Sequence, residues 1–446
     1  MLCSKDPSRR DILKAAAAGL AVPCFVPRSV LAAPGVPGAN DRIRTGVIGC
    51  GNRIQGVMRQ SPKDIQLAAI SDCDTRQMGM NSYFGKGMTG RGGWRKPTDN
   101  VVSIGTFNKL PRYQDYREML DQQKLDAAYI GTTTHARALC CIHAMQAGLD
   151  LYAEKPLILT VEEGRAVANA VKKYKTILQV GTQGTSIESN QAAVTLIRGG
   201  ALGKIQKAVT PNYISGSDWP GTPGSPIPKE VNWDMWLNQA PMIPHSTNLY
   251  HGNAKWGPWN AFDCGGGSNG MTGWGTHAFE QVQRSLGKED TGPVEIWPVK
   301  PGDMHSPVTA RYADGTILEM KIEPGKGPAW GSIFIGEKGK IEINRFKVAS
   351  NPPELTADIP ASEPNGVPEH NRNWVECMRS RKQPNAHAEG AHRATTLAFL
   401  ATIARELGRR VRWDPEKEIF PGDEEATQNR WVSRPRREGY ELPQLL

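Results

Sequence analysis

The first 180 residues alternate between short apolar runs and longer amphipathic stretches. Helices are predicted at about 52–60, 136–147 and 161–174. The second helix stops at Gly148, a residue typical of helix C-termini, and the third starts at the capping-box spacing from Thr160 to Glu163. Strands are predicted between these helices, at 42–48, 65–70, 125–130, 150–153 and 176–180. This alternation predicts a parallel, doubly wound α/β sheet.

Further along the chain the pattern changes. Strand-like runs at 308–312, 317–322 and 332–335 are separated by turn signals at Asp314-Gly315 and 336–339. Consecutive hairpins of this kind predict a mostly antiparallel sheet. A helix is predicted over 391–407, and residues 81–108, rich in glycine and polar residues, are predicted to form a long surface insertion.

The N-terminus has the pattern of an export signal. Arg9-Arg10 precedes a mildly apolar stretch at 15–26, and Val30-Leu31-Ala32 forms a small-residue cleavage site. This pattern resembles a twin-arginine signal, and a short amphipathic helix is the alternative. We therefore expect a signal peptide over 1–32, a linker over 33–41, and a periplasmic or otherwise exported protein. No membrane attachment is expected after cleavage, since no apolar run reaches the roughly 18 residues of a spanning helix.

Charge and cysteine content exclude several classes of protein. The net charge is +9, but the predicted signal peptide holds five of the 54 basic and two of the 45 acidic residues, which leaves +6. Basic and acidic residues are interleaved elsewhere, so no nucleic-acid partner is expected. The eight cysteines include the adjacent pair Cys140-Cys141 and show no metal-type spacing. We expect no metal site and small, buried cysteines.

A glycine turn follows the first predicted strand. Gly49-Cys50-Gly51-Asn52-Arg53-Ile54 leads into a helix, an arrangement in which backbone N–H groups and the helix's positive end bind a dinucleotide pyrophosphate. Ile54 replaces the third glycine of this fingerprint and is expected to push helix and strand apart slightly. Gly56 lies two residues late. A merely tight turn is the alternative.

Asp72 ends the second predicted strand, where a carboxylate can accept both adenosine-ribose hydroxyls. This position favours NAD. The nearby Arg76 could instead neutralise a 2′-phosphate, so NADP stays open. Asp72 and Asp74 could also simply begin a solvated turn.

The motif Glu154-Lys155-Pro156 after a strand, with Thr134-His135 at the preceding strand end, resembles the signature of the Gfo/Idh/MocA oxidoreductases. The resemblance implies that Lys155 contacts the reacting hydroxyl and the nicotinamide, and that Pro156 is a cis residue that aims it. A desolvated lysine near a cationic nicotinamide is expected to have a lowered pKa. The cofactor site implied by the resemblance comprises Gly49, Gly51, Asn52, Arg53, Ile54, Asp72, Thr132, His135, Glu154, Lys155, Pro156 and Gln183.

Residues 231–280 are similar to the family's substrate region, and six of the twelve tryptophans lie between Trp219 and Trp274. The family pattern Asp-x-Gly-x-His is present as Gly273-Trp274-Gly275-Thr276-His277. His277 is expected to act as general acid/base at the substrate hydroxyl, with an ordinary packed histidine as the alternative. Asp263 and Glu280 are candidates to replace the missing carboxylate. Segments 370–374 and 408–415 resemble exported members of planctomycete type.

These observations give one interpretation with two alternatives. The expected fold is α/β, with a Rossmann NAD(P)-binding domain over 42–160 and an α+β substrate-binding and oligomerisation domain with a large open, mostly antiparallel sheet over 161–446. The expected function is NAD(P)-dependent oxidation of a hydroxyl of a sugar or sugar derivative. An exported enzyme finds no pool of free NAD, so the cofactor is expected to be tightly bound and internally recycled. An NAD-dependent glycosidase acting through a keto-sugar and a non-catalytic sugar-binding or scaffold protein are the alternatives. The resemblance also implies a homo-oligomer, a dimer or tetramer.

Overall fold

The computed structural model of the chain describes residues 38, 41–79, 107–250, 256–267, 269–323, 326–328 and 330–444. The predicted signal peptide, nearly all of the linker and nearly all of the predicted insertion lie outside these residues. Within the described ranges, no helix is both long and apolar enough to cross a membrane.

The first sheet has six parallel strands. Their order across the sheet is β3-β2-β1-β4-β5-β6, and every pair is parallel. The predicted doubly wound sheet is confirmed. Because the winding reverses between β1 and β4, a crevice opens at the carboxyl ends of these two strands. The strands are β1 (Ile43–Ile48), β2 (Ile65–Ser71), β3 (Arg112–Tyr113), β4 (Ala127–Ile130), β5 (Asp150–Ala153) and β6 (Leu178–Val180).

The second sheet has eight strands in the order β13-β12-β11-β7-β10-β9-β8-β14. All neighbouring pairs are antiparallel except β7 and β10, which run parallel. The prediction of a mostly antiparallel sheet is confirmed. Its strands are β7 (Ile205–Pro211), β8 (Glu295–Pro298), β9 (Val308–Arg311), β10 (Ile317–Ile322), β11 (Ser332–Gly336), β12 (Gly339–Ile343), β13 (Val348–Asn351) and β14 (Val411–Arg412).

Helices connect and cover the two sheets. They are α1 (Asn52–Met58), α2 (Tyr116–Gln122), α3 (Thr134–Gln146), α4 (Val161–Tyr174), α5 (Glu188–Arg198), α6 (Trp233–Leu237), α7 (Thr276–Leu286), α8 (Val367–Ser380), α9 (Ala388–Leu407) and α10 (Glu424–Thr427). As predicted, the Thr160 hydroxyl caps α4 by accepting a hydrogen bond from the Glu163 amide at 3.2 Å. Helix α8 returns to the first sheet, where Trp374 packs against Tyr129 with ring centroids 4.9 Å apart.

One apolar core is continuous through both layers. It includes Ile130 of the first sheet and Phe334 of the second, with α9 buried along most of its length between them. The cysteines of the described residues are free, and all but Cys73 are buried, as expected from their spacing. This shared core includes residues of the first sheet and of α7, such as Ala153 and Phe279.

A buried ion cluster fastens the C-terminal segment to this core. The Glu418 carboxylate lies 2.8 Å from the Arg165 guanidinium of α4, 2.9 Å from Arg393 and 2.6 Å from the His392 ring of α9. Burial alone would raise the pKa of Glu418, but the His392 ring and the Arg165 guanidinium lower it to about 2. Removing one partner of a buried network leaves the others uncompensated.

We expect Glu418→Gln to lower the free energy of unfolding by about 3 kcal/mol at neutral pH, measured by urea denaturation. A depressed pKa contributes stability above the unfolded value of about 4.3 and loses it as the pH falls from about 4 towards 2. The wild-type advantage over the variant should therefore disappear in that range. Glu323→Gln, at an ion pair whose two side chains are 71% and 66% exposed, is the control and should change little. Equal losses in the two variants would contradict this account.

Candidate active site

A cavity of about 490 Å³ opens at the carboxyl ends of β1, β2, β4 and β5 and extends to α7. Its size is typical of small-molecule and cofactor sites. Ten of the predicted site residues line it together: Gly49, Gly51, Asn52, Arg53, Asp72, Thr132, Glu154, Lys155, Gln183 and His277. The structure therefore brings Lys155 and His277 to one cavity, although they are far apart in the sequence.

The glycine turn lets the backbone pass close to Thr132 and leaves the cavity wall open at Gly51. Gly49 has φ 83°, and a Cβ at this position would lie 2.6 Å from the Thr132 amide nitrogen. A Cβ on Gly51 would meet no atom within 4 Å, so the wall is open at that point. Because the two glycines have no side chains, a dinucleotide pyrophosphate can come close to the backbone there. The backbone N–H groups would bind it.

Ile54 corrects one expectation. Its side chain is buried and does not line the cavity. The room that it needs comes from Gly131 at the end of β4, where an added Cβ would lie 2.6 Å from the Ile54 Cβ. A glycine on the facing strand thus replaces the missing third glycine of the turn, and the expected separation of helix and strand is not needed.

Asp72 supports the glycine turn as well as lining the cavity. Its carboxylate accepts hydrogen bonds from the amides of Cys50 at 2.7 Å and Asp74 at 2.9 Å. Burial raises the pKa of Asp72 to about 6, against the lowering effect of these amides. Arg76 is held by the Asp74 carboxylate through two hydrogen bonds of 2.8 Å and is absent from the cavity wall among the described residues. With Arg76 engaged in this way, the site favours NAD over NADP.

Two further predicted contacts need correction. His135 does not line the cavity: the residue is 1% exposed, and its Nε2 lies 2.8 Å from the Trp236 carbonyl. Burial lowers the pKa of His135 to about 4, so the neutral ring donates this hydrogen bond. Pro156 is also buried away from the cavity; its bond to Lys155 is cis, as the resemblance implies. Arg137 donates hydrogen bonds to the carbonyls of Pro156 and Thr132 and so links the ends of β5 and β4.

Lys155 extends from the end of β5 towards α7. Its ammonium donates a hydrogen bond to the Gly273 carbonyl at 2.7 Å. Burial lowers the pKa of Lys155 to about 8, partly offset by the carboxylates of Glu154 and Asp263. The expected lowering is therefore present, and its main cause is desolvation. At neutral pH the side chain is therefore mostly an ammonium, although the pH is only about one unit below its pKa.

Glu154 is buried and is held from two sides. Arg53 of the glycine turn donates to its carboxylate at 3.0 Å, and the Gln183 amide does so at 3.3 Å. These bonds join the first turn of α1 to the segment after β6. Glu154 is thereby engaged with protein groups, and it positions the backbone from which Lys155 extends.

The missing family aspartate has a steric explanation. Gly273 lies in a π-helical turn, Met271–Gly275, and a Cβ there would lie 1.9 Å from the Gly267 carbonyl oxygen. No side chain fits this position without movement of the backbone. The backbone carbonyl of Gly273 instead provides an acceptor for Lys155.

Of the two proposed replacements, Asp263 is the one brought to Lys155. It is buried and accepts hydrogen bonds from the Thr134 hydroxyl at 2.7 Å and from the Thr272 hydroxyl. Burial raises the pKa of Asp263, while the Lys155 ammonium acts in the opposite direction. Glu280 instead faces Thr182, and burial raises its pKa to about 8. Of the two candidates, Asp263 therefore supplies negative charge near Lys155, in addition to Glu154 of the cavity wall.

His277 is the second residue of α7 and lines the same cavity. Its ring stacks on Trp330 at 5.8 Å with an interplanar angle of 26°. Burial, reinforced by the charges of Lys155 and Arg345, holds the pKa of His277 well below its usual range. The neutral imidazole that results is a proton acceptor at neutral pH.

The cavity-lining residues that sequence reasoning missed include Arg137, Trp330 and Arg345. Arg137 had a weak signal, since it is a lone charge among the apolar residues of α3. Trp330 and Arg345 flank the hairpin of β11 and β12, and no local pattern indicates that this hairpin reaches the cavity. Their positions depend on long-range strand pairing.

A parallel sheet with a glycine turn and a cavity at its switch point defines a Rossmann-type dinucleotide-binding protein, here joined to an open mixed sheet whose helix α7 supplies the histidine. Family models agree with both parts. The oxidoreductase C-terminal alpha/beta domain model matches residues 196–442, and the oxidoreductase NAD-binding Rossmann fold model matches residues 98–182. The chain belongs to the Gfo/Idh/MocA oxidoreductase family. The part that forms the first, parallel sheet is the NAD-binding domain.

Individual relatives are distant. The chain is 31% identical to levoglucosan dehydrogenase of Pseudarthrobacter phenanthrenivorans over 113 residues, which is 25% of this chain and 28% of that relative. It is 24% identical to the rhizopine catabolism protein MocA of Rhizobium meliloti, over 68% of this chain and 83% of that protein. The solved aldose-aldose oxidoreductase from Caulobacter crescentus is 17% identical with a TM-score of 0.54, over 83% of this chain and 99% of that chain. That likeness concerns the fold.

Proposed function

We propose that this protein is an NAD-dependent oxidoreductase that acts on a hydroxyl group of a sugar or sugar derivative. The proposal depends on one observation: the cavity that is lined by Gly49, Gly51 and Asp72 is also lined by Lys155 and His277. The similarity to levoglucosan dehydrogenase supports a sugar or related polyol as the substrate.

The two titratable side chains have different roles in this proposal. The Lys155 ammonium, now bonded to the Gly273 carbonyl, turns to the substrate oxygen and stabilises the charge that develops there. The neutral His277 imidazole accepts the hydroxyl proton. The glycine turn and Asp72 would hold NAD, which would supply the hydride acceptor for the carbon that bears this hydroxyl. Trp274 and Trp330, which line the cavity beside His277, provide apolar surfaces for a sugar ring.

We also propose that the cofactor stays bound and is recycled within the cavity. The reason is the predicted twin-arginine signal: outside the cytoplasm no free pool of NAD supports turnover, and this export route carries folded proteins. Reduction of the bound cofactor by one sugar would then be followed by its reoxidation by a second substrate.

The test is to purify the protein without added cofactor, denature a sample, and measure the released nucleotide by mass spectrometry. We expect NAD and little NADP. Adding sugars to the native protein should raise absorbance at the reduced nicotinamide band, and a second carbonyl compound should reverse it.

The outcomes separate the alternatives. Cleavage of a glycoside with no net reduction would favour a glycosidase working through a keto-sugar. Protein that contains no nicotinamide and binds none on titration would overturn the proposed function and favour a sugar-binding or scaffold role.

A further inference from the structure

One wall of the cavity carries an arginine that the catalytic proposal does not use. Arg345 lies in the turn between β12 and β13 and lines the cavity together with Trp330 and His277. Its guanidinium lies over the Trp330 ring, 4.5 Å from the centroid. Since Trp330 also stacks on His277, Arg345 is one aromatic ring away from the proposed proton acceptor.

Arg345 is incompletely satisfied by protein groups. One of its nitrogens, Nη2, donates to the Asn365 carbonyl at 2.7 Å. In the part of the chain that the structure describes, no carboxylate lies within the 4.0 Å ion-pair distance of this guanidinium, and Nε and Nη1 have no protein acceptor. Burial lowers the pKa of Arg345 to about 10, so it is charged at neutral pH. A largely desolvated cation without a counter-ion is costly to maintain.

The charges around the cavity do not balance. Four cationic side chains line it, against the carboxylates of Asp72 and Glu154. Both carboxylates are engaged, Asp72 by backbone amides and Glu154 by Arg53. The cations are Arg53, Arg137, Lys155 and Arg345. Asp263, behind the wall, acts on Lys155, whereas Arg345 next to His277 has no carboxylate of the described residues within ion-pair distance.

Trp330 adds a second observation at the same wall. Its backbone is in the left-handed region with φ 58°, which is unfavourable for a bulky residue and is found where a side chain is held for function. Its indole N–H is buried and has no hydrogen-bond partner within the described residues. Arg345 and Trp330 together place unused donors beside the position proposed for the sugar.

We propose that the substrate carries a carboxylate, and that Arg345, with the Trp330 indole, binds this group while His277 and Lys155 act on a hydroxyl of the same molecule. The class that fits is a sugar acid, a uronate or an aldonate. A planar guanidinium matches a carboxylate through two parallel hydrogen bonds. This inference rests on the proposed function and adds the charge of its substrate.

The test compares matched neutral and carboxylated sugars on the purified, cofactor-loaded protein. Glucose and glucuronate form one pair, and galactose and galacturonate a second. Reduction of the bound nicotinamide gives the rate, and calorimetric titration gives the affinity independently of turnover. Wild type should prefer the carboxylated member by at least about 10-fold in kcat/KM, the scale of a charge-assisted hydrogen bond.

Arg345→Gln should lower kcat/KM for the carboxylated sugars by about 10- to 100-fold more than it lowers kcat/KM for the neutral ones. Arg345→Lys, which keeps the charge and loses the planar fork, should fall between the two and provides a readout if the glutamine variant folds poorly. Arg412→Gln, at a side chain 82% exposed in β14, is the matched control and should behave as wild type.

Equal rates and affinities for neutral and carboxylated sugars in wild type would overturn the inference. So would a glutamine variant that weakens both kinds equally or that weakens NAD binding, since Arg345 would then serve the fold or the cofactor. If no sugar reduces the nicotinamide, yet glucuronate binds more tightly than glucose in an Arg345-dependent way, the oxidoreductase proposal fails and the charge preference stands.

Discussion

Replacing Lys155 with methionine is expected to lower kcat/KM by about 10³-fold, within the range measured for loss of a group that stabilises developing charge on the substrate oxygen. Methionine retains the length and apolar volume of the side chain but removes the ammonium that now bonds to the Gly273 carbonyl at 2.7 Å. The substrate oxygen then has no cationic partner when its charge develops. Steady-state or single-turnover reduction of the bound nicotinamide measures the loss.

The pH dependence distinguishes this role from a structural one. Because the pKa of Lys155 is lowered from 10.5 to about 8, the ammonium predominates below pH 8 and is lost above it. The wild-type rate should therefore decline on the alkaline side with a midpoint near pH 8. The Lys155→Arg variant stays charged across this pH range. Its rate should be lower than that of wild type but should not decline near pH 8. Lys172→Met, on the exposed face of α4, is the control. An alkaline decline that persists in the arginine variant would assign the titration to another group.

Restoring the family's aspartate by Gly273→Asp is expected to lower the rate by at least about 100-fold. The added Cβ would lie 1.9 Å from the Gly267 carbonyl, so the π-helical turn must move, and the carbonyl that holds Lys155 moves with it. Overpacking of this kind costs about 1–3 kcal/mol of stability, and a displacement of about 1 Å in a catalytic group costs about 10²-fold in rate. Rates and thermal denaturation midpoints measure the two effects.

Two variants separate steric effects from charge. Gly273→Ala adds the same Cβ without a carboxylate and should lose most of the activity as well. Gly267→Ala is the matched control, because a Cβ on this neighbouring glycine would meet no atom within 4 Å. A Gly273→Asp protein that is more active than wild type would show that the carboxylate is tolerated and useful, contrary to the geometry.

Local patterns predicted most of the first sheet. The strand over 150–153 matches the structure residue for residue, and the Thr160 cap lies where its spacing indicates. These features depend on interactions between residues that are close in the sequence, so a short stretch of chain is enough to predict them. Helix α9 begins at Ala388, three residues before its predicted start, because helix ends depend on capping detail such as the His387 side chain.

Site predictions that relied on contact across the fold were less accurate. His135 has the right position in the sequence but turns its ring to the Trp236 carbonyl, away from the cavity. Ile54 is accommodated by Gly131 of a different strand. Neither arrangement has a local signal, since each depends on a residue at least 77 positions away in the chain.

The sequence by itself determined the parallel sheet, the glycine turn after β1, Asp72 at the end of β2 and the presence of Lys155 and His277, because short-range periodicity and spacing encode these features. Only the tertiary structure decided that Asp263 rather than Glu280 supplies charge near Lys155, that the Gly273 carbonyl bonds to the lysine, and that Arg345 reaches the cavity. The physical reason is that packing of the two sheets against a shared core, together with long-range strand pairing, sets which distant side chains meet.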